Sequence, residues 1–67
     1  MPDIGEIIKY IREEQGLSQR CVAGICDITP YTVRRVEATN MGTIKSVEKI
    51  LDALGYELEI VPKDGWD

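Results

Sequence analysis

Four stretches of the chain place apolar residues at helical spacing, and a fifth alternates. Ile4, Ile7, Ile8 and Ile11 stand at i, i+3, i+4 and i+7, which predicts a helix from about Ile4 to Gln15. Asp3 and Glu6 fit a D-x-x-E variant of the capping box, and Gly16 offers a left-handed stop. A second, short helix follows from Ser18 as N-cap to about Cys26. It is expected to bury Val22, Ala23 and Ile25, with Leu17 stapled against Val22. A third helix starts where Thr29 serves as N-cap and Pro30 falls at N1, a position that needs no N–H. Ile28 and Val33 fit a second staple, and Val33 and Val36 point inward. After the loop Ala38–Gly42, a fourth helix is predicted from about Ile44 to Leu54, capped by Thr43 and stopped by Gly55. Its core face is Ile44, Val47, Leu51 and Leu54, with Ile50 alongside. The period then drops to two: Tyr56, Leu58 and Ile60 alternate with Glu57, Glu59 and Val61, as in a strand.

Only about three residues, Cys26 to Ile28, separate the second and third helices. So tight a connection forces a steep crossing, the geometry of a helix-turn-helix unit. The single strand has no partner in its own chain, and the simplest solution is the same strand of a second copy, paired about a two-fold axis. Residues 1–55 therefore read as one helical domain, 56–61 as a dimerisation strand through Tyr56, Leu58 and Ile60, and 62–67 as a flexible tail.

At 67 residues there is room for one core, and a chain this short buries only about 60% of its unfolded surface. Such domains are commonly reinforced by disulfides, metal or association. Two cysteines and no histidine leave a four-ligand zinc site short of ligands, and no cofactor is expected. Cys21 and Cys26 are poorly placed for a bridge and read as free thiols, which leaves self-association. No apolar run approaches the roughly 20 residues of a membrane span, and no signal-peptide pattern opens the chain. A soluble, cytoplasmic protein is expected. An enzyme is disfavoured, because no nucleophile has a neighbouring base and no glycine-rich phosphate loop occurs.

The net charge of −4 is unevenly spread. Residues 1–16 carry four acids against Lys9 and Arg12, a net −2, and residues 41–67 carry six acids against three lysines, a net −3. Residues 17–40 set Arg20, Arg34 and Arg35 against Asp27 and Glu37, a net +1, the one basic third. With Val33 and Val36 inward, Tyr31, Arg34 and Arg35 share the opposite face of the third helix, and Pro30 and Thr32 lie at its margins. Arginine suits bidentate contact with guanine or phosphate, and tyrosine can pack on a thymine methyl. Two surface arginines paired with nearby acids would look the same.

The run "LSQRCVAGICDITPYTVRRVE" (Leu17–Glu37) resembles the helix-turn-helix of the Cro and phage-repressor (XRE-type) DNA-binding family. The matching positions are Leu17, Ser18, Gln19, Val22, Ala23, Cys26, Ile28, Thr29, Thr32, Val33, Arg35, Val36 and Glu37. "IREEQGLSQ" is similar to the usual approach to the motif and "SVEKILDALGYEL" to the family's fourth helix. The resemblance implies an all-α, four-helix, lambda-repressor-like domain. It implies phosphate contacts from Gln19, Thr29, Asn40 and Lys45, and base-facing positions at Pro30, Tyr31, Arg34 and Arg35. Arg12 and Glu37 match a structural ion pair. Asp27 stands where the family usually has a turn glycine, Pro30 removes one base-reading hydrogen bond, and Cys21 replaces a common glutamate. The loop "ATNMGT" lacks the usual basic residues, so fewer phosphate contacts are expected.

Two functions follow from these readings. One is a dimeric repressor reading a palindromic operator in double-stranded DNA. The other is an antitoxin that binds a toxin protein and represses its own operon. The acidic last third, the strand and the tail's Trp66 point to the second. Trp66 reads either as an anchor for that partner or as an idle surface tryptophan.

Overall fold

The computed structural model describes residues 3–59 and residue 62. It contains α1 (Ile4–Glu14), α2 (Gln19–Cys26), α3 (Pro30–Thr39) and α4 (Ile44–Ala53). Helix α3 packs against both α1 and α2, and α4 packs against α2 and more lightly against α3. The core is wholly aliphatic: Ile8 from α1, Val22 and Ala23 from α2, Val33 and Val36 from α3, and Val47, Ile50, Leu51 and Leu54 from α4 and its cap. Ile4, Ile11, Leu17, Cys26, Ile28 and Ala53 close its rim.

Each helix boundary has an identifiable cause. Ser18, Thr29 and Thr43 cap α2, α3 and α4 by accepting from the backbone N–H of Cys21, Thr32 and Ser46. Helices α1 and α4 end in paired turns in which Gly16 and Gly55 take the left-handed conformation. The following residues then donate back, Leu17 N–H to Arg12 O (3.1 Å) and Tyr56 N–H to Leu51 O (2.8 Å). Asp27 performs the same turn after α2 at φ 57°, with Ile28 N–H donating to Ala23 O (3.0 Å). A short polar side chain tolerates that conformation better than most, so the turn forms without glycine.

Several sequence expectations are corrected. Asp3 occupies the N-cap of α1, but its side chain makes no capping hydrogen bond; Gly5 N–H is taken instead by Asn40 Oδ1, 2.8 Å away. The buried stripe of α1 is centred on Gly5, Ile8 and Arg12 and leaves Ile7 37% exposed at its edge. Ile25 is 58% exposed, because it lies about 100° from the centre of the Val22–Ala23–Cys26 face. Ile44, placed in the core by its spacing, is 74% exposed. It is the first residue of α4, and its side chain tilts toward the helix N-terminus, past the end of the core. Residues 56–59 form no strand within the single chain, and the pairing expected of residues 56–61 is with a second copy. Tyr56 and Leu58 are solvent-facing, and Ile60, Val61 and Trp66 lie outside the described residues.

Gly5 fixes how α1 meets α3. A Cβ built there would sit 2.7 Å from Asn40 Oδ1 and from Glu37 O, and closer still to Val36 O. Two of those neighbours are backbone carbonyls, so the helix itself would have to shift. Gly5→Ala is expected to lower the unfolding free energy by about 1–3 kcal/mol despite alanine's better helix propensity. Urea denaturation of the two chains measures this directly.

Candidate nucleic-acid interface

Helix α3 is held from behind by one buried ion pair. Glu37 accepts from Arg12 Nε (2.7 Å) and Arg12 Nη2 (3.0 Å), a bidentate fork–fork contact with the two side chains 10% and 4% exposed. Arg12 Nη1 donates to Leu17 O (2.7 Å), and Gln19 Nε2 donates to Glu37 Oε1 (3.0 Å). One carboxylate thus ties the end of α1, the entry to α2 and the body of α3 together. Hydrogen bonding to Glu37 raises the Arg12 pKa above its already high ordinary value, so the guanidinium stays charged. No buried side-chain polar atom among the described residues lacks a partner.

The front of α3 faces solvent. Tyr31 is 60% exposed and Arg34 lies over its ring, 5.6 Å from the centroid, a cation–π contact. Arg35 is exposed beside them and makes no ion pair with the described residues. A shallow groove on one side is lined by Gln19, Pro30, Tyr31 and Arg34. A second, between α3 and the start of α4, is lined by Thr32, Arg35, Met41, Gly42, Thr43 and Ser46. Thr29 Oγ1 bonds Thr32 N–H (3.2 Å) and the Thr32 hydroxyl (2.9 Å), so the first turn of α3 is closed by its own side chains.

The structure gathers Gln19, Thr29, Pro30, Tyr31, Thr32, Arg34 and Arg35 around the first two turns of α3. It sets the other two sequence candidates apart. Asn40 is the left-handed C-cap of α3, and its side chain reaches α1. Lys45 lines a different groove, with Glu48, Lys49, Asp52, Tyr56, Glu57 and Leu58. Thr43 and Ser46 escaped sequence reasoning as site residues, although they share the groove with Arg35. Their T-x-x-S spacing signals the helix start whose hydroxyls stand there, Thr43 Oγ1 to Ser46 Oγ being 3.1 Å. Both cysteines are free; Cys26 Sγ donates to Val22 O (3.1 Å), and burial pushes its thiol pKa up.

Removing one partner of the buried pair leaves the other charge stranded. Glu37→Ala is expected to cost about 3–5 kcal/mol, whereas Arg12→Met combined with Glu37→Met stays within about 1–2 kcal/mol of the parent. Thermal unfolding of the three chains tests the contrast; equal losses in both variants would contradict it.

The helix-turn-helix family model matches residues 8–61, most of the chain. No curated protein matches it. Among the described residues no helix is long and apolar enough to cross a membrane. With a solvent-facing third helix clamped by Arg12 and Glu37, and a family match that spans all of α2, α3 and α4, the chain belongs to the helix-turn-helix family of Cro and XRE-type DNA-binding transcription regulators.

Proposed function

We propose that the chain is a sequence-specific repressor that binds a palindromic operator as a homodimer, with each α3 in the major groove. The observation that carries this reading is the joint exposure of Tyr31, Arg34 and Arg35 on a helix whose opposite side is fixed by a buried ion pair. Guanidiniums on a rigid helix can meet guanine O6 and N7 in bidentate fashion, and a tyrosine ring can pack on a thymine methyl. Thr29 and Gln19 at one flank, and Thr43 and Ser46 at the other, supply candidate phosphate contacts that set register. A helix N-terminus favours an anion in any case. Two such helices related by a two-fold would read half-sites about 34 Å apart. Repression would follow from occupying the operator.

A second reading, an antitoxin that binds a toxin and represses its own operon, draws on the acidic residues 41–67 and on the solvent-facing Tyr56 and Leu58. Co-purification with the product of a neighbouring gene, lost in Trp66→Ala, would favour it.

Selection of bound sequences from random DNA tests the first reading, and an enriched two-fold symmetric site is the expected result. On that site Arg35→Ala should lower affinity by about 1–3 kcal/mol and relax preference at one base pair per half-site. If the dimer neutralises roughly 6–8 phosphates, log affinity should fall against log salt with a slope of about −5 to −7. Unchanged binding by the Arg35 variant would remove that residue from the reading face.

A further inference from the structure

Four charges on α4 stand in an order that their own helix does not favour. Lys45 is the second residue of α4 and Asp52 the last but one; the first turn holds no acid and the last turn no base. The helix macrodipole is positive at its start and negative at its end, so a cation at the start and an anion at the end each oppose it. Glu48 and Lys49 lie between them, and the spacing i, i+3, i+4, i+7 puts all four on one face. Their pairs within the helix run base before acid, the weaker orientation. None of the four is in an ion pair with another described residue; the ion pairs among the described residues all belong to Arg12. All four line one open groove with Tyr56, Glu57 and Leu58, so a fifth charge, an acid, stands beyond the end of the helix.

We infer that α4 is the seam of the homodimer, packed antiparallel against α4 of a second copy. The inference rests on the dimeric reading above and gives it a surface. Along the face the charges read plus, minus, plus, minus. A two-fold axis between positions 48 and 49 sets Lys45 opposite Asp52 of the second copy and Glu48 opposite its Lys49, four attractive pairs over a row of about 10 Å. A parallel arrangement would set like charge on like. Antiparallel packing also places the start of each helix beside the end of the other, where Asp52 of the second copy meets Lys45 and the positive end of the dipole. The apolar residues fit the same operation. Ile44, 74% exposed at the start of α4, comes beside Tyr56 and Leu58 of the copy, 53% and 42% exposed beyond the end of its α4. The charges set direction and register, and the apolar residues supply the burial that exposed ion pairs alone do not.

Charge reversal tests the seam in the full chain. Lys45→Glu with Lys49→Glu makes the four helix positions wholly acidic, and Glu48→Lys with Asp52→Lys makes them wholly basic, with Glu57 unchanged in both. In sedimentation equilibrium each variant, shown to be folded by circular dichroism, should self-associate roughly a hundredfold more weakly than the parent. An equimolar mixture should recover parental association as a heterodimer. The chain carrying all four changes reads minus, plus, minus, plus and should dimerise again. Single-sign variants that associate as tightly as the parent, or a mixture that gains nothing, would overturn the seam while leaving a dimer through another surface intact. A parent chain that is monomeric in solution and binds its selected DNA as one copy would overturn the dimeric reading together with the seam.

Discussion

The fold depends on a charge that it cannot leave unpaired. Arg12 is buried near the end of α1 in an otherwise aliphatic interior, and a buried guanidinium without a partner costs several kcal/mol. Its solution involves three segments at once: the carboxylate of Glu37 on α3, the carbonyl of Leu17 between α1 and α2, and through Glu37 the amide of Gln19 on α2. The pair need not make the domain more stable than an apolar substitute would, since desolvation offsets most of the attraction. It does fix geometry. A hydrophobic contact tolerates sliding and rotation, whereas a bidentate fork accepts one orientation. With Val33 and Val36 pointing inward, that orientation presents Tyr31, Arg34 and Arg35 to solvent.

A second constraint works at the other end of α3. Asn40 ends the helix in a left-handed conformation and gives its side-chain oxygen to the first turn of α1, where Gly5 lets the two backbones meet. Helix α1 is thus bound to α3 at both ends, by Asn40 near its start and by Glu37 near its finish. Small aliphatic residues contribute about 1.5–3 kcal/mol each when fully buried, and this domain has few of them. Directional polar contacts define its shape more than volume does. The three tyrosines take no part in the core and remain on the surface, available for contact with other molecules.

Most of this was legible in the sequence, for physical reasons that differ between elements. The caps of α2, α3 and α4 were readable because a hydroxyl three residues ahead of an amide is a local interaction. Pro30 at N1 and the glycine stops are equally local. The solvent-facing side of α3 followed from 3.6-residue periodicity once Val33 and Val36 were placed inside. Spacing failed at the edges of stripes, where Ile25 and Ile44 proved exposed, because periodicity gives direction and not the extent of the neighbouring helix. The Gly5–Asn40 contact was not readable at all, since 35 positions separate the two residues and neither has a recurrent partner type. Asn40 looked like a loop residue suited to phosphate, and only its place beside α1 reveals its bond to Gly5. The shared groove of Arg35, Thr43 and Ser46 was likewise set by how α4 crosses α3, which no local pattern encodes.

In the proposed complex the solvent-facing front of α3, held from behind by Arg12 and Glu37, is the surface that meets DNA. Titrating isotope-labelled chain with its selected duplex and following backbone amide shifts tests it residue by residue. The largest changes are expected at Gln19, Tyr31, Thr32, Arg34, Arg35, Thr43 and Ser46, with the outer face of α1 from Glu6 to Glu14 unmoved. Changes centred on α1, with α3 silent, would contradict it.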